Sequence, residues 1–333
     1  MTVCFFNSHP DDFKKLLNEK GYPDFRAKQI SEWVWKKGVT DPIKMKNLPM
    51  ALRQQFTVHS MSCDLRLQSS DGTIKRRLKL KDGEFVESVS IPIKGQWTVC
   101  VSSQTGCAMG CRFCATGLKK RFRNLSGLEI VEQALWHWQD TGEKPSRIVF
   151  MGMGEPLSNR NAVEEAINLL TQKLDMSSRR LTVSTVGMVE GIRWLAEIKP
   201  PVNLALSLHS ASDTTRQELV PTARSCVDEL VSECYRFREK TGRDVTFEVV
   251  LLAGMNDDDE HARNLAAKAG QGIMINLIPY NSGGAGDFSQ PTKERLKQFC
   301  AILKNAKVNH SIRTPRGQDI NAACGELTIG KNN

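Results

Sequence analysis

The sequence predicts an α/β fold, an incomplete parallel (β/α)6 barrel preceded by a small helical domain and a short β extension. Three observations carry that prediction. From Trp97 onward, short apolar runs alternate with helix-like segments; just upstream, two β-rich runs flank an Asp-Gly turn; and residues 9–57 show helical spacing without strand alternation.

In chain order, Asp11 and Asp12 start one short helix, and Phe25, Ile30, Trp33 and Val34 recur at helical spacing in a second. Runs 73–81 and 84–93 read as strands joined at Asp82-Gly83, a hairpin signal, and suggest a bridge between domains. Parallel strands are expected at 98–102, 147–151, 181–184, 203–208, 245–252 and 274–279, with a last one near His310 to Arg313. Segments 128–139 and 159–173 are helical. About six βα units are too few for a closed eight-stranded barrel, so an open barrel is preferred and a doubly wound sheet is the alternative. The expected divisions are a helical accessory domain at 1–60, a β-rich connection at 61–92, the barrel at 93–317 and a C-terminal segment at 318–333. Ligands of either fold gather at the carboxyl ends of the strands.

The formal charge is +9, unevenly placed: residues 1–125 hold 22 Lys and Arg against 11 Asp and Glu, and the remainder 24 against 26. Two basic clusters, Lys75-Arg76-Arg77-Leu78-Lys79 and Lys119-Lys120-Arg121-Phe122-Arg123, suit a surface that neutralises phosphates. Ten cysteines could suggest disulfides, but the first residues lack a basic region followed by a long apolar one. A reducing, cytoplasmic setting is therefore expected, and no apolar run reaches membrane-spanning length.

The run Gly106-Cys107-Ala108-Met109-Gly110-Cys111-Arg112-Phe113-Cys114 supplies three thiolates where a closed metal site needs four. On a four-iron cluster, three cysteines leave one iron open. A structural zinc is the alternative, although no second Cys pair or HxxxH accompanies the motif. CxxxCxxC resembles the signature of the radical SAM superfamily, which implies one 4Fe-4S cluster whose open iron binds S-adenosyl-L-methionine (SAM). After the next strand, Met151-Gly152-Met153-Gly154-Glu155-Pro156 lets a backbone approach a ligand closely, and Glu155 could accept from an ammonium group. It resembles the GGE-like motif that holds the SAM amino group. Ser184, Ser207-Leu208-His209 and Asn281 end further strands with hydrogen-bonding side chains, individually ordinary turn or cap residues, together suited to ribose, carboxylate and adenine.

The wider set of motifs, from Cys100-Val101-Ser102-Ser103-Gln104-Thr105 through Phe113-Cys114-Ala115-Thr116-Gly117 and Met255-Asn256-Asp257 to Arg316-Gly317-Gln318-Asp319-Ile320-Asn321-Ala322-Ala323-Cys324-Gly325, resembles the RlmN/Cfr family of radical SAM RNA adenine methyltransferases. The likeness runs nearly end to end, including Phe25-Arg26-Ala27-Lys28-Gln29-Ile30, Trp33 and Asp71-Gly72-Thr73-Ile74-Lys75. The resemblance implies methylation of carbon 2 of an adenosine in 23S rRNA, with tRNA as a second candidate, at two SAM per turnover and with an electron donor such as flavodoxin or ferredoxin. It further implies that Cys324 carries the methyl group, that Cys100 resolves the resulting protein–RNA bond through a transient disulfide, and that Glu87 accepts the adenine proton. Cys4, Cys63, Cys226, Cys234 and Cys300 match no motif and read as packing. Two departures from the family pattern, around Lys120 and at Ser282, bear on the RNA-contacting loop. Carbon-8 methylation of the Cfr type, another RNA substrate, a radical enzyme acting on a peptide or small molecule, and a zinc-stabilised RNA-binding protein are the alternatives.

Overall fold

The computed structural model describes residues 3–7, 10–119, 121–270, 272–281 and 283–327, so Lys120 and Ser282 lie outside the described residues. Strand β1 (Val3–Cys4) pairs with β2 (Phe56–Thr57), enclosing helices α1 (Pro10–Glu19), α2 (Phe25–Lys37) and α3 (Met50–Arg53). Aromatic edges fill the space between them, with Phe5 5.3 Å from Phe6 and Phe6 5.4 Å from Trp35.

Everything after that belongs to one sheet. Strands β3 (Ser62–Gln68), β4 (Ile74–Lys79), β5 (Phe85–Ile93) and β6 (Gln96–Cys100) run antiparallel. From β6 on, the partners are parallel: β7 (Arg147–Phe150), β8 (Leu181–Thr185), β9 (Asn203–Ser207), β10 (Val245–Leu251), β11 (Met274–Pro279) and β12 (His310–Ile312). Helices α4 (Gly127–Thr141), α5 (Arg160–Gln172), α6 (Val189–Glu197), α7 (Asp213–Leu219), α8 (Val227–Thr241), α9 (Asp259–Ala269) and α10 (Lys293–Asn305) fill the crossovers. Each strand neighbours its sequence neighbour, from β3 at one edge to β12 at the other. A doubly wound sheet would reverse its order at a switch point. This sheet does not, so the open barrel is the architecture. The strand positions follow from buried apolar runs such as Ile148, Phe150, Leu181 and Val183, which cover the sheet with helix side chains on one face.

The hairpin at 73–93 forms where expected: the Leu80 N–H donates to the Glu84 carbonyl at 2.7 Å, and Gly83 takes φ +86°, a value glycine adopts without strain. It is an integral part of the barrel sheet, because β5 pairs with β6. Strand β3, unanticipated, lies beside it. The helical domain is fastened by Glu132 of α4, whose fully buried carboxylate accepts the N–H groups of Ser60 and Met61, both at 2.9 Å, with His59 Nδ1 at 3.1 Å. No helix among the described residues is long and apolar enough to cross a membrane.

Half of the first basic cluster faces inward rather than forming a surface, while Lys79 is exposed. Lys75 and Arg76 are buried, and Arg76 Nε donates to Asp140 of α4 at 2.6 Å, while Arg77 pairs with Asp64 at 2.5 Å. Lys75 and Arg76, desolvated on the faces of β4, need internal anions to be stable there. In the second cluster, Lys119 pairs with Glu84, and Arg123 with Asp82 and Glu129, the last at 2.8 Å. These pairs tie the loop to the hairpin tip.

Candidate active site

The loop that follows β6 leaves the sheet at Cys100 and closes on itself at Gln104 and Asn124, which pair backbone to backbone and bond through Gln104 Nε2 to Asn124 Oδ1 at 2.7 Å. Its neck is clamped from two helices. Gln133 of α4 accepts the Ser102 N–H at 2.8 Å and donates to the Ser102 carbonyl at 2.9 Å, and Asn159, just before α5, donates to the carbonyls of Ser103 and Leu125 at 3.0 and 2.7 Å. The far side is held by the Arg112 N–H on the Leu219 carbonyl and Thr222 Oγ1 on the Met109 carbonyl. A rigid frame thus presents Cys107, Cys111 and Cys114, all three lining one cavity at the carboxyl ends of the parallel strands.

Burial pushes the Cys107 thiol up to about 12 and raises those of Cys111 and Cys114. Desolvation is the largest cause at each, and a bound metal would favour the thiolates by replacing their protons. Among the described residues, no group of three or more His, Cys, Asp or Glu is arranged to hold a single metal ion. A structural zinc needs that convergence; a four-iron cluster takes each cysteine on a different iron and asks only that the sulfurs face one space. The donor set fits the cluster.

The same cavity is lined by Gly154, Glu155, Ser184, Ser207, His209 and Asn281. A Cβ on Gly152 would lie 2.5 Å from Ser102 Oγ, so the backbone after β7 runs hard against the loop neck. Glu155 is buried; its two oxygens accept the N–H groups of Leu157 and Val186 at 3.0 and 2.9 Å, while burial raises its pKa. An ammonium ligand would relieve that desolvation by offering the carboxylate an opposite charge. Ser184 and Ser207, on adjacent strands, sit with their hydroxyls 3.2 Å apart. His209 adopts φ +61° and is held by Asn256 Nδ2 on its carbonyl at 2.7 Å. Burial and the nearby Arg216 push it down to about 3, and its Nδ1 accepts the Val250 N–H at 3.3 Å, so the neutral ring carries its proton on Nε2. Leu208 is the exception among the expected ligands. Its fully buried side chain is absent from the lining, and its N–H already donates to the Leu206 and Glu248 carbonyls at 2.8 and 3.0 Å.

A second cavity, of ≈ 300 Å³, opens beside the first and contains Cys100 and Cys324, with apolar walls from Val89, Ile91 and Ile93. The two share nine lining residues, among them Cys114, Met151, Asn281, Arg313 and Cys324, so Cys324 faces both. Cys324 is placed by its own segment: Asn281 Nδ2 donates to its carbonyl at 3.2 Å, Glu326 accepts the Ala323 N–H at 2.9 Å, and the Ala115 N–H reaches the Gly325 carbonyl at 2.8 Å. Both cysteines are free thiols, and burial together with neighbouring Cys324 pushes Cys100 up to about 12. Glu87 lies on β5 one step beyond Val89 on the same face, buried, with Lys75 Nζ 3.5 Å from its Oε1. Arg313 escaped the sequence reading. It follows β12, lines both cavities, and the acidic groups around it, Cys324 first, then Glu248 and Cys100, raise its pKa. Its placement depends on which residues the sheet brings to its end, which a single basic residue in sequence does not signal.

Two family models match the chain: the Radical SAM superfamily over residues 101–266 and the Ribosomal RNA large subunit methyltransferase N-terminal domain over residues 5–61. A relative from Synechocystis sp., named "Probable dual-specificity RNA methyltransferase RlmN", is 43% identical over 93% of this chain and 90% of its own. One of the same name from Carboxydothermus hydrogenoformans is 41% identical over 97% of each. The crystal structure of a radical SAM methyltransferase from Sphaerobacter thermophilus superposes with a TM-score of 0.90, is 37% identical, and covers 97% of this chain and 98% of that one.

Proposed function

Because this chain belongs to the RlmN family of radical SAM methyltransferases, we propose that it methylates carbon 2 of an adenosine in RNA, 23S rRNA foremost and tRNA second, through a methyl group carried on Cys324. One observation carries the reading: Cys324 stands in the wall between the cavity of the cluster cysteines and the cavity holding Cys100. A carrier must meet the methyl donor on one side and the acceptor base on the other.

Cys107, Cys111 and Cys114 would hold a 4Fe-4S cluster, with Glu155, Ser184, Ser207, His209 and Asn281 around a SAM. Bound there, cluster and SAM supply a 5′-deoxyadenosyl radical when one electron arrives from a flavodoxin- or ferredoxin-like donor. Carbon 2 of adenine is electron-poor and carries no acidic hydrogen, so its methyl group cannot come by simple displacement. Cys324 Sγ would take a methyl group from one SAM, releasing S-adenosylhomocysteine, and that S-methyl group would then give up one hydrogen atom to the 5′-deoxyadenosyl radical. The apolar walls at Val89, Ile91 and Ile93 receive the flipped base and exclude water. The carbon radical left on the Cys324 sulfur bonds to carbon 2, the unpaired electron of that adduct would return to the cluster that spent it, and Glu87 takes the proton from carbon 2. Cys100 Sγ then attacks Cys324 Sγ; the new sulfur–sulfur bond replaces the sulfur–carbon bond, and the freed carbon picks up a proton to become methyl.

Digesting RNA modified by the anaerobically reconstituted enzyme and comparing its nucleosides with standards tests this. The proposal expects 2-methyladenosine from wild type and none from Cys324→Ala; 8-methyladenosine, or methylation that survives Cys324→Ala, would contradict it.

A further inference from the structure

We infer that Lys75 is a positioning residue that ties the proton acceptor Glu87 to the segment carrying Cys324. Its ammonium group lies 3.5 Å from Glu87 Oε1 and donates to the Asn321 carbonyl at 3.0 Å. Both side chains are sealed from solvent, 4% and 1% exposed. Strand register sets this up: Lys75 is paired with Val89, so Lys75 and Glu87 are diagonal neighbours on one face of the sheet. That face includes Val89, a wall of the base cavity.

The other contact reaches across the chain. Asn321 ends a short helical turn three residues before Cys324, and Gln318 of that turn donates to Asn281 Oδ1 at 3.0 Å, whose Nδ2 in turn holds the Cys324 carbonyl. One ammonium therefore fixes the carboxylate and the carrier segment relative to each other. A buried lysine is stable only beside an anion and acceptors for its protons; Glu87 and Asn321 supply both, the Glu326 carboxylate also feels its charge, and Arg77 stands across the β4–β5 ladder from Glu87. The inference rests on Glu87 and Cys324 acting as proposed above, the proton passing from adenine carbon 2 to a Glu87 oxygen.

The test follows decay of the covalent Cys324–RNA adduct in single turnovers against pH, in the reconstituted holoenzyme, for wild type, Lys75→Met, Lys75→Arg and Glu87→Gln. Cys324 methylation is measured in parallel by mass spectrometry. Lys75→Met should still methylate Cys324 but resolve the adduct tenfold or more slowly at neutral pH. Lys75→Arg should restore most of the rate. A Lys75→Met profile that coincides with wild type while Glu87→Gln is slow would overturn the inference and leave the proposed function standing; so would loss of Cys324 methylation that Lys75→Arg does not rescue. Unaltered decay in Glu87→Gln would instead remove the role of Glu87 itself, and the inference with it.

Discussion

Replacing Gly154 with alanine strikes the point where the strand-end loop meets the neck of the cysteine loop. Gly154 has φ +105°, and a Cβ there would sit 2.6 Å from Gln104 Cβ and 2.9 Å from its backbone nitrogen. Gln104 cannot give way cheaply. Its N–H donates to the Met153 carbonyl at 3.1 Å, its Oε1 accepts the Glu155 N–H at 2.8 Å, and its amide holds Asn124. Forcing a side chain into that backbone region costs about 1–3 kcal/mol, and overpacking adds about 1–3 kcal/mol. Gly95, at φ +72° with nothing within 4 Å of a built Cβ, isolates the first effect. Urea unfolding of Gly154→Ala and Gly95→Ala should therefore differ by about 1 kcal/mol or more. Calorimetry should show SAM affinity falling about tenfold or more in Gly154→Ala, since each 1.4 kcal/mol is a factor of ten, and unchanged in Gly95→Ala. Equal stabilities would refute the close-approach argument.

His137, fully buried beside Arg76, is pushed down to about 3 by burial and that charge. The unfolded chain binds its proton near 6.5, so stability is full above that pH and falls below it, by about 2 kcal/mol at pH 5; His137→Gln should flatten the decline in urea midpoints, and an identical decline would refute the assignment. Arg76→Met takes the buried partner from Asp140, leaving it Arg66 at 3.2 Å, and should cost about 1–3 kcal/mol while leaving the salt dependence of RNA binding unchanged; a shallower salt slope would return Arg76 to the phosphate-contacting role its sequence context suggested. Alanine at Cys107, Cys111 or Cys114 should abolish reductive SAM cleavage and lower bound iron and sulfide. Zinc without iron in reconstituted wild type would contradict the cluster.

Strand order and loop positions were legible because period-2 and period-3.6 apolar patterns report directly on a covered sheet, and the cysteine spacing is local. Charge was less legible. Lys75 and Arg76 read as a basic surface because their anions, Glu87 and Asp140, lie on other elements, up to 64 residues away for Arg76. Strand β3 was missed since Ser62-Cys63-Asp64-Leu65-Arg66-Leu67-Gln68 carries few β-branched or aromatic side chains and is half-buried at an edge. The run Ser207-Leu208-His209 shows the remaining limit: a motif marks a strand end, but only alternation in space separates His209, facing the cavity, from Leu208, facing the core.

The central claim is that Cys324 carries the methyl group, and mass spectrometry of the protein isolated with its cluster and SAM supply intact reads it most directly. The peptide containing Cys324 should bear one added methyl group on sulfur, and Cys100→Ala should keep that methylation yet accumulate a covalent RNA adduct at Cys324, because no second thiol remains to break the sulfur–carbon bond. An unmethylated Cys324 in an enzyme that still methylates RNA, or a Cys100→Ala variant that turns over without an adduct, would contradict the account.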